Sequence, residues 1–340
     1  VSFLCGWSLE ATLWRLAGWP LEQILPWAEG LSSMGGTWLY FPLTASLPQV
    51  LVGLVAVILL ILPGKRMLKL LLPLLALPVL LPLNTSSQVP SLDTRVTVLD
   101  VGQGTAVVVR SQGRVLVYDT GGGNPDEMNM GSMVILPFLQ LQGVNALDTL
   151  VISHPDLDHS AGTKDLLRAM PVDRLRFGGE DFQYGKGRPC IAGESWRWPG
   201  GQVFQFLSPA LETTRSSNDS SCVLQIEVGD YRLLLPGDIE EERERTLVSY
   251  WGDTLSSEWL LVGHHGSKTS SSLAFLKHVR PQAAVVSSGY ANRFGHPHLS
   301  VTQRLQGGDV SLHHTAAEGA LEFKLVQGQA LEISAYRKVH

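Results

Sequence analysis

The feature that most constrains this chain is a run of potential metal ligands directly after an apolar segment. The segment Leu147–Ile152 predicts a buried strand, and a Ser-His-Pro turn follows it. Four potential ligands then lie within six residues: His154, Asp156, Asp158 and His159. Imidazole nitrogens and carboxylate oxygens suit zinc, manganese or iron. An acidic surface turn is the alternative, but the strand context and the spacing together favour a metal-binding loop.

The composition excludes several other classes of protein. The 340 residues carry a formal net charge of −5, so the chain lacks the overall positive charge of many nucleic-acid-binding proteins. Its three cysteines, Cys5, Cys190 and Cys222, have no Cys-x-x-Cys spacing, which excludes a thiolate zinc cluster and a disulfide-rich scaffold. One bridge between Cys190 and Cys222 stays possible. The chain begins Val-Ser and has no basic segment before an apolar core, so we expect a fragment of a longer protein and no signal peptide.

The first residues of the chain are predicted to lie at a membrane surface. Residues 1–46 are rich in tryptophan and leucine, and Leu9, Leu13 and Leu16 follow helical spacing. This pattern predicts an interfacial amphipathic helix whose aromatic side chains lie at the lipid headgroups. A buried amphipathic helix is the alternative interpretation.

Residues 47–83 predict a transmembrane helical hairpin. Val50–Leu62 contains no charge, and extended back to Leu39 it reaches the roughly 20 residues that a bilayer span needs. A short basic turn separates it from a second apolar run, Leu70–Leu83, which its prolines would kink. The positive-inside rule places that turn in the cytoplasm, so everything after the polar linker 84–94 would lie on the periplasmic or extracellular side. A helix pair inside a soluble domain is the alternative.

Residues 95–340 have the pattern of strands that alternate with helices. Short apolar runs predict these strands: Val96–Val101, Ala106–Arg110, Val115–Tyr118, Val203–Leu207, Val223–Val228, Tyr231–Leu235, Trp259–Val262, Ala283–Ser287 and Ala320–Leu325. Helices are predicted at Met133–Leu141, Ala161–Met170 and Glu240–Trp251. A glycine-rich turn after the third strand presents Asp119. Strands followed by strand–helix alternation occur twice, which indicates two packed sheets with helices outside.

Further potential ligands follow other predicted strands. Asp238 comes just after one buried strand, His264 and His265 follow the next, and His296 and His298 follow another. Each alone is more often a turn or a surface feature than a ligand. Because all of them follow strand ends, we expect them to contribute to one metal site.

Taken in order, these motifs resemble the metallo-β-lactamase-like domain of the ComEC family of DNA-internalisation competence proteins. The similar segments are Leu99–Gly104, Tyr118–Gly121, His154–His159, Asn218–Leu224, Gly237–Asp238, Gly263–Ser267 and Gly295–His298. The predicted hairpin resembles the end of that family's membrane-channel region. The resemblance implies an α/β protein with an αββα sandwich after a transmembrane hairpin, in the inner membrane of a bacterium.

The resemblance also implies a divalent metal site with one or two ions. Its ligands would be His154, Asp156, Asp158, His159, Asp238 and one or both of His264 and His265. Asp238 would bridge two ions, while Asp119 and Asn218 would support the ligands. The superfamily's usual motif is His-x-His-x-Asp-His, so Asp156 replaces a histidine, and Asn218–Ser221 stands where another histidine is usual. This oxygen-rich set favours Mn²⁺ or Mg²⁺ over Zn²⁺, and we expect Mn²⁺.

The function that the resemblance implies is nuclease activity, with degradation of one DNA strand while the other enters the cell. Asp158 would orient or deprotonate the attacking water, and His296 or His298 would donate to a phosphate oxygen or protonate the leaving group. Three basic residues could bind the backbone of single-stranded DNA: Lys164, Lys268 and Arg293. The membrane and other DNA-uptake proteins would be partners. Two alternatives stay open, namely a non-catalytic channel component with a degenerate metal site and a hydrolase of small esters, lactones or β-lactams.

Overall fold

The computed structural model describes residues 93–179, 187–209, 217–326 and 331–337, together with residues 14, 18, 19, 22, 25 and 26. These last six are helical, and the side chains of Trp14 and Trp19 are exposed. The predicted hairpin, 47–83, and most of the predicted interfacial segment lie outside the described residues. Within the described part, no helix combines the length and the apolar character that a membrane span requires. The chain divides into two units, Val1–Thr85 and Ser86–His340, and the following concerns the second.

The described strands, in chain order, are β1 (Thr94–Val98), β2 (Val107–Ser111), β3 (Arg114–Tyr118), β4 (Leu147–Ile152), β5 (Val172–Phe177), β6 (Arg188–Pro189), β7 (Ser195–Arg197), β8 (Val203–Ser208), β9 (Val223–Val228), β10 (Tyr231–Leu235), β11 (Trp259–Leu261), β12 (Ala283–Val286), β13 (Ser311–His314), β14 (Leu321–Leu325) and β15 (Glu332–Ala335). The helices are α1 (Leu136–Leu141), α2 (Leu157–Ser160), α3 (Thr163–Ala169), α4 (Glu241–Trp251), α5 (Leu273–Val279), α6 (Leu299–Gly307) and α7 (Thr315–Glu318). A π-helical turn, Gly131–Ile135, leads into α1.

The strands form two sheets of similar design. The first has the order β15-β14-β1-β2-β3-β4-β5-β6, and the second has the order β13-β12-β11-β10-β9-β8-β7. One side of each sheet is antiparallel and the other is parallel, and the parallel strands are β3 to β6 in the first sheet and β10 to β13 in the second. Parallel strands end at the same edge of a sheet, so the loops after β10 and β11 leave from one edge of the second sheet. The loop after β4 leaves from the edge at which the parallel strands of the first sheet end.

The two sheets face each other across an apolar core, and helices cover their outer faces. Alternate residues of β10 show the division, since Leu233 and Leu235 point into the core between the sheets while Leu234 packs under the helices. In β4, Val151 faces the other sheet, and Leu150 packs with residues of α1 and α3. The period of two follows from strand geometry. Two packed sheets with helices outside, as the sequence predicts, are confirmed.

Several element bounds match the prediction and others do not. The strands β4, β9 and β10 have the predicted bounds. The predicted helix Ala161–Met170 is shorter than expected, because α3 begins only at Thr163. The strand β5 was not predicted, since charged residues interrupt its apolar pattern. In the structure Arg176 pairs with Glu194 at 2.6 Å, and this partner on a neighbouring segment explains how a charged residue fits a central strand.

A disulfide joins Cys190 to Cys222, with the two Cα atoms 5.7 Å apart. Cys190 follows β6 in the first sheet, and Cys222 precedes β9 in the second, so the bond ties the two sheets together. The backbone N–H of Cys222 donates to the carbonyl of Ser153 at 2.8 Å, and the buried Tyr118 hydroxyl donates to the carbonyl of Cys222 at 2.8 Å. The bridge that the sequence left open is therefore present, next to the loop after β4.

Candidate metal centre

The first set of potential ligands lies on the loop and the short helix α2 after β4. His154 and His159 are fully buried, while the Asp158 side chain is 36% exposed. Glycine is needed where this loop meets the loop after β1. A Cβ on Gly104 would lie 2.3 Å from the carbonyl oxygen of Asp158, and that oxygen accepts a hydrogen bond from the Thr105 N–H at 3.1 Å. These backbone contacts hold the Asp158 carboxylate next to the buried imidazoles.

The second set comes from the other sheet. Asp238 follows the Pro-Gly turn after β10 and is buried, and His264 and His265 follow β11. Both histidines have left-handed backbone conformations, with φ of 50° and 54°. Such conformations are uncommon in residues other than glycine and persist only where the surroundings enforce them. The strained turn directs His265 inward, whereas His264 stays half-buried at the edge.

Four of these side chains bring their ligand atoms together. Nε2 of His159 lies 3.1 Å from Nε2 of His265 and 3.2 Å from an oxygen of Asp238. Nε2 of His265 lies 3.4 Å from the other Asp238 oxygen and 3.2 Å from an oxygen of Asp158. Ligands about 2.1 Å from a tetrahedral ion lie about 3.4 Å from one another. Each of these distances fits two ligands of one divalent ion, and Asp158, His159 and His265 form a group whose ligand atoms all lie within 4.8 Å of one another.

Hydrogen bonds to the far ring nitrogens orient both imidazoles toward this centre. Nδ1 of His159 lies 2.7 Å from a buried Asp119 oxygen, and Nδ1 of His265 lies 2.8 Å from the carbonyl of Ser287. Both partners are acceptors, so Nδ1 carries a proton in each ring and Nε2 is the atom left for a metal. The two Nε2 atoms lie 3.1 Å apart, so a positive charge, either a proton or a metal ion, must lie between them. Carbonyl or carboxylate partners on the far nitrogen are typical of histidine ligands.

His154 offers a further buried nitrogen. Its Nε2 has no hydrogen-bond partner within the described residues, and an oxygen of Asp156 lies 3.7 Å from it. A buried polar atom left in this way costs free energy, unless something absent from the protein chain binds it. His154, His159 and Asp238 also form a group whose ligand atoms lie within 4.8 Å of one another. These three side chains would hold a second ion next to the first.

The electrostatics of the cluster favour positive charge at its centre. Burial alone would raise the pKa of Asp238, but the neighbouring His159 and His265 hold it well below its usual value. Burial would lower the pKa of His159, but Asp238 and Asp119 raise it well above its usual value. The pKa of His154 is lowered to about 3 by burial and by His159, so this imidazole is neutral, as a metal ligand must be.

The other residues predicted for the site lie at various distances from this centre. Asp156 has a side chain that is 45% exposed and lies at the rim beside His154. Nε2 of His264 is 3.8 Å from Asp238, outside the cluster of four. The ring of His296 lies next to those of His264 and His265, with centroids 6.0 and 6.3 Å apart. His298 is exposed and caps α6, where its Nδ1 accepts from the Ser300 N–H.

The predicted supporting and basic residues have the following positions. Asp119 accepts from the Ser153 N–H and hydroxyl at 2.6 and 2.8 Å. The carbonyl of Asn218 accepts from the Ser221 hydroxyl at 2.6 Å, and that hydroxyl lies 3.4 Å from Nδ1 of His154. The basic residues are exposed or half-buried near the loops: Lys164 pairs with Asp126, Lys268 follows the strained turn, and Arg293 stacks on Phe294.

Three contributors were not predicted from the sequence. Ser153 joins Asp119 to the ligand loop, Ser221 faces His154, and the Ser287 carbonyl orients His265. The position of Ser153 between a strand and a ligand was a signal that could have been used. The Ser287 carbonyl gave no such signal in the sequence, because every residue has a backbone carbonyl group.

Comparison with known proteins agrees with this geometry. A sequence model of the Metallo-beta-lactamase superfamily matches residues 99–290, more than half of the chain. The chain belongs to this superfamily. The match covers the ligand residues up to His265 and ends before His296.

Curated relatives within the superfamily place the resemblance more narrowly. Competence protein ComA of Neisseria gonorrhoeae is 40% identical over 240 residues, which are 71% of this chain and 33% of that protein. Recombination protein 2 of Haemophilus influenzae is 38% identical over 248 residues, 72% of this chain and 30% of that protein. ComE operon protein 3 of Bacillus subtilis is 32% identical over 260 residues, 69% of this chain and 33% of that protein.

These relatives confirm the resemblance to the ComEC family. The chain spans about a third of the length of each relative. The superfamily fold implies binding of a divalent metal. Two groups of side chains provide suitable ligands, namely His154, His159 and Asp238, and Asp158, His159 and His265.

Proposed function

We propose that this domain is a metal-dependent phosphodiester hydrolase that cleaves DNA, within a protein of DNA uptake. The observation that carries the proposal is the convergence of Asp158, His159, Asp238 and His265 at ligand spacing, with orienting hydrogen bonds behind both imidazoles. The competence relatives support DNA as the substrate, because they share this part of the chain. Degradation of one strand during import is the biological role that we infer.

A divalent ion held by these four residues would polarise a phosphoryl oxygen and make water a stronger nucleophile at neutral pH. Hydrogen bonds and charges from neighbouring histidines overcome the burial of Asp158 and keep its pKa below its usual value, so its carboxylate is ionised and can orient the attacking water. Its exposed fraction of 36% leaves it open to the solvent side.

We assign the leaving-group proton to His296 in preference to His298. His296 lies next to the ligand imidazoles, and its Nδ1 has no hydrogen-bond partner within the described residues. Burial and the adjacent histidines lower its pKa, so the ring is a stronger acid when it carries the proton, but its neutral form predominates near pH 7. His298 uses its Nδ1 to cap α6.

We propose Mn²⁺ as the preferred ion, with Zn²⁺ and Mg²⁺ as alternatives. Three of the potential ligands are carboxylates, Asp156, Asp158 and Asp238, and such oxygen-rich sets suit Mn²⁺ better than thiolate or all-imidazole sets do. His154, His159 and Asp238 would hold a second ion, with Asp156 beside His154 at the rim, so that the site takes one ion or two.

We also propose that the domain lies on the periplasmic or extracellular side of the bacterial inner membrane. The disulfide between Cys190 and Cys222 supports this location, because such bonds persist in oxidising compartments. The hairpin predicted at 47–83 would anchor the domain in the lipid membrane. Other DNA-uptake proteins would be its partners.

The test is hydrolysis by the purified full chain. The substrates are bis(p-nitrophenyl) phosphate and end-labelled single-stranded DNA, each with Mn²⁺, Zn²⁺ or Mg²⁺ and with EDTA. Asp158→Asn and Asp238→Asn should lower kcat/KM for both substrates by about 100-fold or more, because each removes a ligand carboxylate. The matched control is Asp253→Asn, a side chain that is 85% exposed in its ion pair with Arg280.

A second candidate function is a non-catalytic channel component that binds DNA. The observation that favours it is that Ser221, in the segment where the superfamily usually has another histidine, contacts His154. Stoichiometric metal without cleavage of either substrate would support this function and refute the hydrolase. Cleavage of bis(p-nitrophenyl) phosphate alone would instead favour a small-molecule hydrolase.

A further inference from the structure

A loop with unusually exposed aromatic side chains borders the metal centre. It comprises residues 289–298, between β12 and α6, and we call it the aromatic loop. Tyr290 is 87% exposed and Phe294 is 53% exposed. Large aromatic side chains exposed on one loop are costly in water, and they are common where a protein binds a partner.

The aromatic loop has a defined conformation. The Asn292 side chain closes it, donating to the carbonyls of Gly289 and His296 at 3.0 and 2.6 Å and accepting from the His296 N–H at 2.9 Å. The loop also packs on the turn of the ligand histidines. A Cβ on Gly266 would lie 2.6 Å from Pro297, which shows how closely the two segments approach. Its aromatic side chains are therefore presented by an ordered backbone.

Near-parallel rings connect this loop to the metal ligands. The rings of Phe294 and His296 lie 5.6 Å apart with an interplanar angle of 23°, and those of His296 and His265 lie 6.3 Å apart with an angle of 22°. The guanidinium of Arg293 lies 4.8 Å from the centre of the Phe294 ring. An extended ligand that reaches the metal would thus meet aromatic rings and a positive charge beside it.

We propose that the aromatic loop binds unpaired bases of single-stranded nucleic acid, with Tyr290 and Phe294 as stacking residues and Arg293 as a phosphate contact. Every base has a π face, and stacking on exposed aromatic rings together with a basic side chain is how proteins bind single strands without reading sequence. Bases inside a duplex are already stacked and cannot reach the rings. The proposal deepens the proposed function, on which it rests, by selecting single strands over duplexes.

The test is binding, measured by fluorescence anisotropy with the full chain in EDTA so that no cleavage occurs. The probe is an oligothymidylate of about 15 nucleotides, a length within the range that such sites bind. We expect Tyr290→Ala and Phe294→Ala each to raise Kd roughly 10-fold. Tyr290→Phe should restore tight binding, because it keeps the ring. Tyr250→Ala is the matched control, since Tyr250 is 77% exposed on α4.

Three further measurements separate stacking from other roles. With an abasic oligonucleotide of the same length, the wild type and the Tyr290→Ala variant should bind equally, because no base is present to stack. With duplex DNA the variant should likewise bind as the wild type does. Arg293→Ala should reduce the slope of log K against log salt by about 0.7, the value of one phosphate contact on a single strand.

Equal Kd values for the wild type and both alanine variants on oligothymidylate would overturn the proposal. The same loss of affinity in the alanine variants on the abasic probe would also overturn it. So would alanine variants that lose binding to anionic lipid vesicles but not to oligothymidylate, because that result would indicate a membrane-facing loop. Base-dependent binding in a protein that cleaves neither substrate would refute the proposed hydrolase and leave this inference standing.

Discussion

Asp119→Asn is the sharpest single change for testing the metal centre, because it alters one atom of a buried carboxylate that touches no substrate. Its Oδ1 accepts from the Ser153 N–H at 2.6 Å, and its Oδ2 accepts from the Ser153 hydroxyl and from Nδ1 of His159 at 2.8 and 2.7 Å. Asparagine keeps one acceptor and places an amino group where the other stands. Nδ1 of His159 then faces a donor, so its proton moves to Nε2, the atom needed for the metal.

The magnitude follows from these contacts. Each hydrogen bond to a charged group contributes about 1.5–3 kcal/mol, and two of them are lost or reversed. The loss is offset in part, because burial raises the pKa of Asp119 and so disfavours its charged form. We expect Asp119→Asn to lower the free energy of unfolding by about 1–3 kcal/mol. We expect metal affinity to fall 10- to 100-fold, or about 1.4–2.8 kcal/mol, as for other residues that orient a histidine ligand.

The assay is competition for metal with a chromophoric chelator, beside chemical denaturation of the same samples in EDTA. Asp148→Asn is the matched control, since Asp148 lies at the opposite end of β4 and accepts from the Val115 N–H at 2.8 Å. That variant should lose stability and keep its metal affinity. Unchanged metal affinity in folded Asp119→Asn would refute the reasoning about the His159 tautomer.

Three further predictions concern the disulfide, the half-buried His314, and a glycine. Replacement of Cys190 and Cys222 by alanine opens a bridge between residues 32 apart, and denaturation should show a loss of about 3–4 kcal/mol; an unchanged midpoint would contradict this. Burial lowers the pKa of His314 below 6.5, so its contribution to stability is present above pH 6.5 and lost as the pH falls; His314→Gln should flatten that part of the pH profile of unfolding. Gly104→Ala should weaken metal binding, because its Cβ would lie 2.3 Å from a carbonyl of the ligand loop, whereas Gly113→Ala has a positive φ but open space and should not. Equal chelator titrations for these two variants would count against the close approach.

The sequence predicted the frame of the site better than its details. The strands β4 and β10 were predictable because apolar runs end at turn residues, and Asp158, His159 and Asp238 follow directly. The spacing could not tell His264 from His265, because the choice depends on left-handed backbone angles that the packing of other segments enforces.

Contacts between distant segments were also beyond the sequence. Asp156 has the spacing of a ligand, but the turn of the loop leaves its side chain at the rim, 45% exposed. The Cys190–Cys222 pairing depends on how the sheets pack, which no local pattern encodes. The aromatic loop has no apolar periodicity, so its role could come only from the exposure of Tyr290 and Phe294.

Because the candidate ligands come from two sheets, the metal site can be completed only late in synthesis of the chain. His159 and His265 are 106 residues apart, and each comes from a different half of the sandwich. While only the first half of the sandwich has left the ribosome, the set of ligands is incomplete, and a bound ion would exchange freely. Tight retention of metal therefore reports that the last ligand has emerged and that both halves have closed on each other.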